Sequence, residues 1–274
     1  MIKKLLIELN QVCNLNCEYC FYRDYDRDKE VLQLENIKNI INNYPNLEKV
    51  YLTGGEATIN KDFLDIVNEF KNNNIDVVVF TNGIKLNTVE NLEKYVNPVD
   101  KFLITYDHFK ESYKYRLKLD TTLDTIKKII SIDSNKLEVK VCINNKNIKD
   151  LDDIFKFLID LGVKHFSINL IHNIESNDEN FELTNEEFNY AFEVIDKYKD
   201  YFNKTYINYL KDFFFNHNMK IEDTCIAGNT FKFINCKGEE YICPANFGKK
   251  GNCLSKECIC IWEMFYEEWF IKSR

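Results

Sequence analysis

Cys13-Asn14-Leu15-Asn16-Cys17-Glu18-Tyr19-Cys20 puts three thiols within eight residues, directly after the apolar run Leu5–Leu9. Three thiolates on one loop fall one short of a closed structural zinc site and one short of a four-thiolate iron–sulfur site. A [4Fe–4S] cube held in this way keeps one iron open, and an open iron is a place where a substrate or cofactor binds and reacts. Two other readings stand beside this one. The loop is then a zinc knuckle that borrows a distant fourth ligand, or three buried cysteines acting as small apolar side chains.

Working outward, Thr53-Gly54-Gly55-Glu56 follows the apolar run Val50–Leu52. The pattern C-x3-C-x-φ-C, with aromatic Tyr19 at φ, followed by glycine–glycine–glutamate, resembles the radical S-adenosylmethionine (SAM) enzymes. The resemblance covers the cluster loop and strand–helix pattern of residues 1–172 and a cysteine-rich stretch over residues 225–260. It implies that Cys13, Cys17 and Cys20 hold a [4Fe–4S] cluster whose open iron chelates the amino and carboxylate groups of SAM. One electron, from a donor such as flavodoxin or ferredoxin, then gives methionine and a 5′-deoxyadenosyl radical that takes hydrogen from substrate. The same resemblance sets Tyr19 near the adenine and makes Gly54 and Gly55 a place where a Cβ would intrude on the methionine. Glu56 or nearby backbone oxygens accept from the methionine ammonium. Thr105 matches a hydroxyl near the SAM ribose or methionine, and Asn82 is either a second such group or a turn residue.

The 274 residues, 45% of them hydrophobic, are enough for one large α/β domain with a small appendage. A net charge of −8 with no basic run argues against affinity for nucleic-acid phosphates. The N-terminus is too short for a signal peptide and no window spans a bilayer, so a cytoplasmic protein with no membrane partner is expected. Ten cysteines in such a chain read as metal ligands more readily than as disulfides.

Strand-like runs recur at Leu5–Leu9, Lys49–Thr53, Asp76–Thr81, Lys101–Tyr106, Leu137–Ile143 and Lys164–Leu170. Between them Gln33–Asn43, Asp62–Asn72, Val89–Tyr95, Thr122–Ile132 and Leu151–Leu161 carry apolar residues at helical spacing. The fold class is therefore α/β, with parallel strands and right-handed crossovers, and six units predict an open partial (β/α)6 barrel. Function is expected at the C-terminal ends of the strands, where Cys13, Gly54, Asn82, Asp107, Asn144 and His172 all fall. In the fifth strand Glu138, Lys140, Cys142 and Asn144 alternate with Val139, Val141 and Ile143, which aims Cys142 into the barrel. Its thiol is either a hydrogen-atom donor to a substrate radical or a small buried side chain. Asp107 and His172 are candidate acid–base groups.

Residues 173–224 read as a helical bridge with Thr184 and Glu187 in a capping box and with Phe188, Phe192, Tyr198 and Phe213–Phe215 in its core. Residues 225–274 begin with Cys225 and a hairpin over Phe231–Ile234 and Tyr241–Cys243, turning at Gly238, and end in a helix through Trp262, Phe265, Tyr266, Trp269 and Phe270. The spacing C-x12-G-x4-C resembles the opening of SPASM and twitch modules, and the remaining length fits a twitch-like module with one auxiliary [4Fe–4S] cluster. Cys225, Cys243, Cys258 and Cys260 are the expected ligands, Cys253 competes for a place, Cys236 reads as a turn residue, and a zinc ribbon is the alternative. Relatives with such modules often modify ribosomally made peptides, so oxidative cross-linking or dehydrogenation of a peptide is expected first. Oxidation, epimerisation or rearrangement of a small molecule such as a carbohydrate comes second, and a non-catalytic metal-binding scaffold is the reading from another class. The first strand opens after four residues, so no N-terminal peptide-recognition domain is expected, which counts against the peptide reading.

Overall fold

The computed structural model describes residues 1–20, 29–170, 180–211 and 227–244. Apolar stretches alternate with amphipathic ones in chain order: β1 (Lys4–Glu8), α1 (Leu34–Asn43), β2 (Lys49–Thr53), α2 (Phe63–Asn72), β3 (Asp76–Thr81), α3 (Ile84–Asn87), α4 (Glu93–Val96) and β4 (Lys101–Thr105). There follow α5 (Leu119–Asp133), β5 (Leu137–Ile143), α6 (Leu151–Leu161), β6 (Phe166–Leu170), α7 (Asn185–Lys197), α8 (Lys204–Lys211), β7 (Phe231–Ile234) and β8 (Glu240–Tyr241). The strands form one sheet in the order β6-β5-β4-β3-β2-β1-β7-β8. Neighbours from β6 through to β7 are parallel, and β8 runs antiparallel on β7.

The sheet is parallel and open, with one strand face apolar and covered by helices, while the other mixes apolar residues with the buried polar Lys4, Glu8, Glu138 and Ser167. Leu5, Ile7, Val50, Leu52, Val77, Val79, Val139 and Val141 are fully buried. Against them α2 lays Phe63, Ile66, Val67 and Phe70, and α6 lays Leu151, Ile154, Phe155 and Leu158, each set at helical spacing on one face. No described helix is long and apolar enough to cross a membrane.

The six predicted barrel strands are present within two residues of their expected ends. The helix expected over Val89–Tyr95 is a single turn at Glu93–Val96, and α3, unanticipated, starts where the Asn82 side chain accepts from the Ile84 N–H at 2.9 Å. Past β6, the Thr184–Glu187 capping box opens α7, with the Glu187 N–H on Thr184 Oγ1 at 3.2 Å and the Thr184 N–H on Glu187 Oε2 at 2.9 Å. Tyr198 and Phe202 then pack edge-on against Phe155, so the bridge covers the β6 side of the sheet. The expected hairpin also forms, but its first strand lies beside β1, with Lys4 opposite Phe231 and Ile7 opposite Ile234. This pairing satisfies the outer backbone edge of β1 and buries Phe231, Phe233 and Ile234. His172, Phe213–Phe215, Cys225, Cys253, Cys258, Cys260 and the helix from Trp262 lie outside the described residues.

Candidate active site

The chain leaving β1 is clasped by the end of β2. The Leu9 N–H donates to the Thr53 carbonyl at 2.8 Å, the Gly55 N–H to Asn10 O at 2.8 Å and the Glu56 N–H to Val12 O at 2.9 Å. Asn10 Nδ2 returns a bond to Glu56 O at 3.1 Å. A Cβ on Gly54, at φ +154°, would stand 2.3 Å from Asn10 O, and one on Gly55 would stand 2.5 Å from the carbonyl oxygens of Gln11 and Val12. What presses on these glycines is thus the backbone at the base of the cysteine loop.

Glu56 lies almost wholly buried, and its carboxylate is turned into the protein. Oε1 accepts from the Thr58 N–H (3.1 Å), Thr58 Oγ1 (2.5 Å) and Thr81 Oγ1 (2.6 Å), while Oε2 accepts from the Asn82 N–H (2.6 Å). With three donors on Oε1 and one on Oε2, Glu56 joins the ends of β2 and β3. Asn82, held in this way, points its Nδ2 at the cysteine loop, 2.7 Å from Asn14 Oδ1 and 3.7 Å from Cys13 Sγ. Thr105 ends β4 half-buried, in register with Lys140.

Within the loop, Leu15 and Cys17 pack on Ile84 of α3, with Cys13, Tyr19 and Cys20 around them. The Leu15 N–H lies 3.4 Å from Cys13 Sγ, and Arg116 Nη1 lies 3.8 Å from Cys17 Sγ. Burial pushes the Cys13 thiol up and the Cys17 thiol up to about 11, the latter against the nearby Arg116 charge. Thiols so placed ionise when a metal supplies the positive charge that water no longer does. Among the described residues no three His, Cys, Asp or Glu side chains are close enough to share one metal ion; a cube, whose irons take one thiolate each, does not require them to. N–H donors aimed at two of the three sulfurs suit the thiolates of an iron–sulfur cluster.

Beside the cysteines stands a buried polar group that spacing did not reveal. Tyr19 Oη donates to Asp107 Oδ2 in a very short bond, the Cys142 N–H donates to Asp107 Oδ1 at 2.8 Å, and Arg116 Nη1 lies 3.7 Å from Asp107 Oδ2. Burial raises the Asp107 carboxyl, and Arg116, Tyr19 and the Cys142 N–H oppose the rise. Burial works against the Arg116 charge, but Tyr19, Cys17 and Asp107 outweigh it and the guanidinium stays cationic. Cys142 does face this site, and burial followed by the Asp107 charge holds its thiol well above the ordinary range. Asn147 Nδ2 braces the Asp107 carbonyl (3.1 Å) and that of Cys142 (2.9 Å), and Asn144 Nδ2 reaches Tyr113 Oη at 3.2 Å. The ring of Phe181 stands edge-on to both Tyr19 and Tyr115.

Arg116, Tyr113 and Asn147 were not expected as site residues, whereas Asn144 was expected at this end of the sheet. Asn144 gave a signal by following β5, and so did Asp107 by following β4, whereas Arg116 sits in an aperiodic loop. Cys236 follows β7 in the Asn235–Gly238 turn, as expected, and its N–H donates to the buried Glu8 Oε2 at 3.1 Å. Cys243, just past β8, is buried too.

Residues 7–158 match the Radical SAM superfamily. A probable GTP 3′,8-cyclase of Sulfurisphaera tokodaii is 29% identical over 193 residues, covering 66% of this chain and 60% of the relative. Streptococcus suis SuiB bound to precursor peptide SuiA superposes with a TM-score of 0.70 at 14% identity, over 98% of this chain and 65% of that one. The anSMEcpe structure with bound AdoMet and Cp18Cys peptide gives 0.67 at 17% identity, over 89% and 74%. The chain thus spans under two thirds of the length of the cyclase and of SuiB.

Proposed function

Since the chain belongs to the radical SAM superfamily, we propose that it binds a [4Fe–4S] cluster at Cys13, Cys17 and Cys20 and uses SAM to oxidise a ribosomally made peptide. The observation that carries the reading is the cysteine loop itself, clasped at its base by Gly54–Glu56 and faced by N–H donors. When bound, such a cluster supplies one electron to the SAM sulfonium, and the adenosyl group released takes hydrogen from substrate. This chain's own residues hold the cluster, present backbone oxygens beside Gly55 and Glu56 to the methionine ammonium, and line the adjoining wall with Tyr19, Tyr115 and Phe181, which exclude water. Thr105 and Asn82 border the SAM position in this reading. Cys225, Cys243, Cys258 and Cys260 would hold an auxiliary cluster, with Cys253 the alternative ligand. The second electron of the oxidation would pass to that cluster and the second proton to solvent, and a cytoplasmic flavodoxin or ferredoxin would supply the electron that cleaves SAM.

The peptide class is supported by the fold shared with SuiB and anSMEcpe, whose structures contain peptides. The likeness to a GTP 3′,8-cyclase favours a second reading, in which the substrate is a small molecule.

Anaerobically reconstituted protein, reduced with dithionite and given SAM, is expected to form 5′-deoxyadenosine and methionine. Cys13→Ala, Cys17→Ala and Cys20→Ala are each expected to abolish this, and wild-type yields from the triple variant would overturn the assignment. A peptide product two mass units lighter than its precursor supports the peptide reading; turnover of GTP in its place supports the second.

A further inference from the structure

Arg116 is 7% exposed and lies in the loop after β4, and its Nη1 faces two acceptors at once, Asp107 Oδ2 at 3.7 Å and Cys17 Sγ at 3.8 Å, the latter a thiolate only when it ligates iron. Its Nε is buried without a hydrogen-bond partner. An orphaned buried donor is costly and an under-compensated buried charge more so, which makes this a place for more negative charge than one carboxylate supplies. The loop that carries Arg116 is tied to the cysteine loop by the Glu18 N–H on the Tyr115 carbonyl at 3.0 Å, which fixes the guanidinium against Cys17. Asp107 is meanwhile engaged by the Tyr19 hydroxyl and the Cys142 N–H, so its negative charge is shared and does not fully cancel Arg116.

We propose that Arg116 is a positioning residue that acts through Cys17 to raise the reduction potential of the cluster, and that Asp107 limits how far. The inference rests on the cluster reading given above. Iron–sulfur potentials follow the net charge around the cluster and the hydrogen bonds to its sulfurs. A cation and an N–H on one ligand sulfur favour the form that has gained an electron. Aspartate beside the cation works the other way. The step concerned is the gain of one electron by the cluster, supplied in the assay by dithionite, with no bond made or broken.

The test is an anaerobic dithionite titration of the reconstituted enzyme without SAM, followed by electron paramagnetic resonance, with the signal of the Cys13/Cys17/Cys20 triple alanine variant subtracted. Arg116→Gln, which keeps a planar N–H donor but not the charge, is expected to lower the equilibrium constant for reduction about tenfold, a shift of about 59 mV to more negative potential. Arg116→Lys is expected to fall between it and wild type. Asp107→Asn is expected to move the midpoint the opposite way, which loosening of the site does not produce. It also carries the test alone should Arg116→Gln load no iron. Unchanged midpoints in iron-loaded Arg116→Gln, or a fall with Asp107→Asn, overturn the inference while the cluster assignment stands. A wild-type signal that does not depend on the three cysteines overturns both.

Discussion

At the scale of single residues, the Gly54-Gly55-Glu56 segment gains its meaning from the backbone it touches. A methyl on Gly55 meets the carbonyl oxygens of Gln11 and Val12 at 2.5 Å, and backbone on both sides leaves no flexible side chain to yield. Gly55→Ala is therefore expected to destabilise the fold by about 1–3 kcal/mol, the usual range for overpacking. It is also expected to weaken iron retention, because the residues pushed aside lead directly into Cys13. Denaturant melts and iron content per chain measure the two effects, and a variant as stable and iron-rich as wild type contradicts the clasp. Glu56 shows the complementary case. A carboxylate surrounded by Thr58, Thr81 and the Asn82 N–H fastens two strand ends together, and through Asn82 it sets the donor that faces Cys13.

Between elements, the loop after β4 is fixed at two points. Its Asp107 end enters the cysteine site, and a little farther on it is tied to the start of α6. His108 Nδ1 accepts from the Lys110 N–H at 3.0 Å, which leaves the Nε2–H to donate to Asp150 at 3.0 Å, and Lys110 Nζ reaches the other Asp150 oxygen at 2.5 Å. Chiefly the Lys110 bond, with His108 assisting, holds the Asp150 carboxyl below its ordinary range against a smaller opposing effect of burial. Because the folded-state pKa is depressed, the stabilisation is present in full above the unfolded carboxylate value of about 3.9 and is lost as pH falls through the folded value. Asp150→Asn is expected to be less stable than wild type at neutral pH, with the gap closing below about pH 4. Melts across that window check the sign, and a gap that widens in acid refutes it.

For the whole molecule, the sheet brings the cysteine loop, the glycine clasp, Asn82, Asp107 and Asn144 to one end, and β7 carries Cys236 to the same end beside Glu8. If the C-terminal cysteines hold an auxiliary cluster, the reconstituted wild type is expected to contain about eight irons and the Cys13/Cys17/Cys20 triple alanine variant about four, from two cubes of four irons each. Zinc copurifying with the triple variant would make the C-terminal site a ribbon instead. The chain's own spacing specifies the barrel, because strand and helix periods are local properties of apolar spacing and their alternation implies parallel order, as the near agreement from β1 to β6 shows. It also determined the cysteine loop, since three thiols in eight residues need no tertiary contact to be seen. Three features arise only on folding: β7 closes the β1 edge, Glu56 faces inward, and Arg116 stands between Cys17 and Asp107. Each of these depends on residues distant in sequence coming together, Lys4 with Phe231, Glu56 with Thr81, and Cys17 with Arg116. Backbone edges and buried charges choose their partners by satisfying hydrogen bonds across the fold, and that requirement leaves no periodic trace along the chain.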